Sequence, residues 1–151
     1  MKKFALVLLM LCLAANAYAF KESSTVVTVS AVEDTVFASV GSKVSLEIKF
    51  ICDEHWHLYA PGDPVYYGIN VAGVDSLPLA VAKIHYPEPH DGMFLGEKVK
   101  LYEGENVITL TGVLMSMPTE PLTVELELQA CDDKSCLPPS FVPVNFTVVK
   151  K

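Results

Sequence analysis

Two cysteines near the C-terminus carry the clearest chemistry in this chain. They stand in Leu128-Gln129-Ala130-Cys131-Asp132-Asp133-Lys134-Ser135-Cys136-Leu137-Pro138-Pro139, separated by four mostly polar residues and followed by a double proline. Thiols this close in sequence can open and re-form a bridge by exchange with another thiol. A disulfide stabilises through the loop it closes, and so short a loop contributes only about 2 kcal/mol, against about 5 kcal/mol for a loop of about 100 residues. A structural staple would join more distant segments, so the pair suits redox chemistry better than reinforcement. The remaining reading is a permanent clip on a loop of a non-enzymatic binding module, an ordinary role for cysteines in exported proteins.

A second group is Cys52-Asp53-Glu54-His55-Trp56-His57. His55 and His57 share a face if the segment is a strand, and Met93, Met115 and Met117 add soft donors, a set that would suit copper. Ligands at this spacing are weak evidence, because Met and His have packing roles, and no metal or other cofactor is expected. In the sharper alternative, Trp56 and Leu58 face the core while His57 and Tyr59 face outward and line a recess near the thiols.

The elements that must position these residues are strands. Val44, Leu46, Ile48 and Phe50 alternate with polar residues, as do Leu122, Val124, Leu126 and Leu128, and then Val142, Val144, Phe146 and Val148. Such period-two alternation marks half-buried strands. Further strands are expected over Thr25 to Val32, Trp56 to Ala60, Leu79 to His85 and Asn106 to Met115, with turn signals at Pro61-Gly62-Asp63-Pro64, Pro87-Glu88-Pro89 and Glu103-Gly104-Glu105-Asn106. About eight short strands, each with one polar face, read as an all-β, immunoglobulin-like antiparallel sandwich of two sheets. The stretch from Tyr86 to Lys98 reads as an irregular, candidate functional loop. Strand parity places Cys52 in the core. If the later strand runs on, Cys131 falls on the solvent side with Glu125 and Glu127. An inter-sheet bridge from Cys52 to Cys131 is disfavoured by that parity, and Cys52 reads as a small core hydrophobe.

The N-terminus sets the redox context. Lys2 and Lys3, the apolar run from Phe4 to Ala15, and Ala17-Tyr18-Ala19 have the layout of a secretory signal peptide over residues 1–19, cleaved after Ala19. The apolar run is too short for a stable bilayer anchor, and no membrane span is expected after cleavage. Residues 20–151 form one domain. The whole chain carries a formal charge of −7 and contains no arginine, which argues against nucleic acid as a partner. The exported compartment is oxidising, so neighbouring cysteines there are expected to be bridged.

With these segments in place, the chain resembles the N-terminal periplasmic domain of the thiol:disulfide interchange reductase DsbD and its single-domain exported relatives. His55-Trp56-His57-Leu58-Tyr59 corresponds to that family's aromatic-rich strand and Phe94-Leu95-Gly96 to the loop covering its active site. Tyr102-Glu103-Gly104 precedes a strand as it does there, and Gln129-Ala130-Cys131 to Cys136-Leu137-Pro138-Pro139 corresponds to its redox pair. The resemblance implies a periplasmic electron shuttle with an immunoglobulin-like fold. A thioredoxin-like or transmembrane disulfide reductase would be the donor and exported thioredoxin-fold proteins the acceptors. It further implies that Cys136 makes the mixed disulfides, that Cys131 resolves them, and that Phe94 shields the pair until a partner docks. His57 and Tyr59 stand where the family lines its site with tyrosines. The chain departs from the family in a cysteine spacing one residue shorter, in His57, and in Gly92 and Met93 where acidic residues are expected. Without transmembrane and thioredoxin-like domains of its own, it is expected to depend on a separate reductase.

Overall fold

The computed structural model describes residues 21–151, with the side chains of 81 and 82 left aside. The signal-peptide expectation for residues 1–19 therefore lies outside the described residues. The strands are β1 (Val27–Ala31), β2 (Thr35–Ala38), β3 (Lys43–Cys52), β4 (His57–Tyr59), β5 (Asn70–Ala72), β6 (Leu79–His85), β7 (His90–Phe94), β8 (Glu97–Tyr102), β9 (Glu105–Leu114), β10 (Leu122–Leu128), β11 (Ala130–Cys131) and β12 (Ser140–Lys150). Among the described residues, no helix is long and apolar enough to cross a membrane.

The sandwich is immunoglobulin-like. One sheet has the order β1-β3-β9-β6 and the facing sheet β2-β12-β10-β5, all antiparallel except the β2–β12 pair at the edge. The alternation explains the packing. Val44, Leu46, Ile48 and Phe50 of β3 meet Leu122, Val124, Leu126 and Leu128 of β10, with Ile108, Leu110 and Leu114 of β9 and Phe146 of β12 completing the core. Each such side chain, once buried, contributes about 1.5–3 kcal/mol. Cys52 ends β3 inside this core, where its thiol lies 3.8 Å from the Tyr102 carbonyl oxygen.

A third sheet, β11-β4-β8-β7, extends the expected two-sheet plan and carries the chemistry. It includes the stretch from Tyr86 to Lys98 that the sequence reads as an irregular loop. There, β7 and β8 form a hairpin closed by Leu95 and Gly96, with φ of 49° and 89°. A two-residue turn with both central residues left-handed matches the twist of the flanking strands. Gly96 takes that conformation freely, whereas Leu95 holds it at a cost. Within the hairpin Gly92 lies against Leu101, whose side chain would have to shift to admit a Cβ there.

Candidate functional site

Cys131 and Cys136 are joined in a disulfide, with Cα atoms 4.0 Å apart. The bridge closes a small hairpin. The Leu137 amide donates to the Ala130 carbonyl (2.8 Å) and the Asp132 amide to the Ser135 carbonyl (2.9 Å). Oδ1 of Asp132 accepts from the amides of Lys134 (2.8 Å) and Ser135 (2.7 Å). Those two amides hold the Asp132 carboxyl below the usual carboxylate range. The base of the hairpin is tied to the N-terminal segment. Ser23 Oγ donates to the Pro138 carbonyl (2.7 Å) and accepts from the Ala130 amide (2.8 Å).

The two sulfurs occupy unlike surroundings. Cys136 is exposed, whereas Cys131 is 0% exposed. This corrects the expectation of a solvent-facing Cys131. Parity gives the right side of the strand, for Ala130 enters the main core and Cys131 points the other way. The far side is not water, however. A second, smaller core covers it, built from Tyr59, Phe94, Val99, Leu101 and Cys131 with Tyr66 packed against it. Strand β4 is sandwiched in the same manner, with Leu58 in the main core and Tyr59 in the second.

His57 and Tyr59 likewise lie on the side opposite Leu58, but they are buried rather than outward-facing. Backbone pairing sets His57 directly across from Cys131 and Leu58 across from Ala130. Directly opposed side chains on one face have Cβ atoms about 5 Å apart, so His57 and Cys131 are neighbours. The His57 Nε2 lies 3.4 Å from the Tyr59 hydroxyl oxygen. Burial pushes the His57 imidazolium below its ordinary value, opposed by Glu103, Asp133 and Asp132. Burial also pushes the Tyr59 phenol upward, so it stays protonated at neutral pH.

Phe94 closes the cluster. It is 5% exposed and sets its ring edge-to-face against His57 (6.0 Å between centroids), Tyr59 (5.8 Å) and Tyr66 (5.2 Å). Tyr66 is a site residue the sequence reading missed. It stacks on Tyr59 at 4.4 Å, and its amide donates to Asp63 Oδ1 at 2.8 Å. The available signal was the Pro61-Gly62-Asp63-Pro64 turn, in which an aspartate caps the amides that follow it. The flanking Met93 and Leu95 are exposed, so the cap carries apolar surface on its outside.

The histidines proposed as a metal pair part company. His55 is exposed in a left-handed turn beside Glu54, whereas His57 is inside the second core. Cys52 lies in the main core. Among the described residues no three His, Cys, Asp or Glu side chains are grouped to hold a metal ion. The arrangement instead offers one accessible sulfur bonded to one sheltered sulfur, which is a geometry for directed thiol–disulfide exchange.

A family model described as thiol:disulfide interchange protein DsbD, N-terminal, matches residues 26–145. Among solved structures, the N-terminal periplasmic domain of ScsB from Proteus mirabilis is similar with a TM-score of 0.55 and 15% identity, over 80% of this chain and 44% of that one. The present chain thus spans less than half of that structure's length, and the likeness is one of fold. The DsbD N-terminal domain of Neisseria meningitidis in its reduced form has a TM-score of 0.48 and 14% identity, over 72% of this chain and 80% of that one. No curated protein matches the chain.

Proposed function

Since this chain belongs to the family of DsbD N-terminal domains, we propose that it relays electrons through the Cys131–Cys136 couple in the periplasm. The donor is a thioredoxin-like or transmembrane disulfide reductase, and the acceptors are exported thioredoxin-fold proteins. The observation that carries the reading is the asymmetry of the disulfide, with Cys136 exposed and Cys131 enclosed beneath Phe94. In the loading step a donor thiolate attacks Cys136 Sγ, and the S–S bond breaks with its electron pair going to Cys131, which takes up a proton. The donor's second thiolate then attacks the donor sulfur of the mixed disulfide and releases Cys136. The donor is left oxidised and both cysteines of the chain reduced. Delivery reverses these steps on an acceptor disulfide. Cys136 is thus the sulfur that meets partners and Cys131 the one that resolves, with Phe94, His57 and Tyr59 forming the shelter.

Paired variants test this assignment. Cys136→Ser is expected to abolish exchange with a thioredoxin-type reductant, and Cys131→Ser to accumulate a stable mixed disulfide. Both should remain folded, since the short loop contributes only about 2 kcal/mol. A reduction potential for the couple below about −300 mV, the range of structural bridges, would sink the relay reading.

A further inference from the structure

Delivery of electrons presents a chemical problem at Cys131. Once Cys136 has formed a mixed disulfide with an acceptor, Cys131 must attack as a thiolate, yet it sits in a cluster of apolar and aromatic side chains. Burial disfavours the charged form of a thiol, and solvent hydroxide has poor access to a fully enclosed sulfur. A base must therefore be built into the cluster. Cross-strand pairing puts one titratable side chain directly opposite Cys131, namely His57.

We propose that His57 is the general base that deprotonates Cys131 when it resolves the mixed disulfide. The proposal rests on the relay reading above. In the step, a ring nitrogen of His57 takes the Cys131 proton, and Cys131 Sγ forms a bond to Cys136 Sγ. The bond between Cys136 Sγ and the partner's sulfur breaks, and its electron pair leaves with that sulfur as a thiolate. The proton then passes from His57 to the departing thiolate or to water. The acceptor disulfide is the oxidant, and it ends as the reduced partner.

The neighbours of His57 suit this role. Nε2 of His57 pairs with the Tyr59 hydroxyl at 3.4 Å; in the tautomer whose Nε2–H donates to that oxygen, the other ring nitrogen keeps the lone pair that accepts the proton. The ionisable groups bearing on the ring are Glu103 just after β8, Asp132 and Asp133 in the disulfide hairpin, and His90 on β7. The first three favour the imidazolium that forms during the step, whereas burial keeps the resting ring neutral. Tyr59, Tyr66 and Phe94 complete the enclosure.

The test mixes the reduced protein with oxidised glutathione and follows, by acid quench and mass measurement, the formation and decay of the glutathione adduct on Cys136. In His57→Gln and His57→Phe, decay at pH 7 is expected to slow by about a hundredfold, and adduct formation by less than about twofold. The wild-type decay rate should be flat at neutral pH and fall as acid protonates His57. In the variants it should instead climb with pH toward the wild-type value as hydroxide replaces the base. Unchanged decay in both variants, or slowing by one factor at every pH, overturns the assignment. A wild-type profile with no acid limb overturns it without any variant. Failure of oxidised glutathione to oxidise the reduced wild-type protein at all, with neither an adduct nor a Cys131–Cys136 bridge formed, overturns the relay reading with it, whereas normal formation and resolution in the variants removes only the role of His57.

Discussion

Phe94→Ala should transform the reactivity of one cysteine and leave the other alone. Phe94 is buried against His57, Tyr59 and Tyr66 and belongs to the cluster that encloses Cys131. Swinging it aside forfeits about 2 kcal/mol of side-chain burial. Its aromatic contacts add about 1 kcal/mol more, taking a low value for their combined geometry. An opening cost of about 3 kcal/mol holds the open state near one part in a hundred, since about 1.4 kcal/mol corresponds to a factor of ten. Removing the ring should therefore raise the reactivity of Cys131 on the order of 10²-fold. The assay uses backgrounds that retain one thiol of the pair beside the free Cys52. In Cys136→Ser, alkylation of Cys131 by iodoacetamide, corrected for its thiolate fraction and mapped by mass so that Cys52 is counted separately, should rise by that factor on adding Phe94→Ala. In Cys131→Ser, alkylation of the exposed Cys136 should stay the same. A Cys131 rate that changes by less than a factor of about two would refute the gate, because the calculated cost would then be missing. Equal acceleration of both cysteines would show instead that Phe94 covers the pair as a whole.

The buried third cysteine gives a pH prediction. Burial, with Glu103 and Asp53 nearby, pushes the Cys52 thiol up from 9.0 to about 12. The folded state keeps a proton that the unfolded chain has already lost. The stability this represents is present below about pH 9 and is lost as pH rises toward 12, with a slope of up to about 1.4 kcal/mol per pH unit. Denaturant unfolding of Cys52→Ala should show a shallower alkaline decline than wild type while glutathione exchange continues; an identical decline would refute it. Gly68→Ala is expected to lower stability by about 1–3 kcal/mol, because the new Cβ would meet the Ala60 main chain. Since Gly68 bridges Tyr59, the same change should loosen Tyr66 and speed alkylation of Cys131 in the Cys136→Ser background.

Strands that separate the main core from water were legible in the sequence, as β3, β10 and β12 illustrate, because alternation records one apolar and one polar side. That rule fails where both sides are covered. β4 carries His57, Leu58 and Tyr59 and β11 carries Ala130 and Cys131, every one of them buried. Their alternation distributes residues between two cores rather than between core and solvent. The missing cover was β7, whose sequence His90-Asp91-Gly92-Met93-Phe94 shows little apolar alternation because only its last side chain is fully buried. Phe94 was found through family resemblance, while the sheltering of Cys131 depends on contacts between segments distant in sequence, which no local pattern records.

The two cores also differ in how firmly they are held. The β7–β8 hairpin joins the remainder of its sheet through β4, which pairs with β8 at Leu58 and Tyr59, whereas β3 and β9 run together over nine paired positions. Sub-global opening draws on the region with the fewest cross-links. The hairpin tip can therefore open on its own, while the end of β8, where Tyr102 is buried in the main core, stays with the sandwich. Amide exchange in β8 should report a smaller free energy than exchange in β3. Opening of that small annex would bare Cys131 while Cys136 needs no such opening to be met, and the hairpin tip can diverge without taxing the stability of the sandwich.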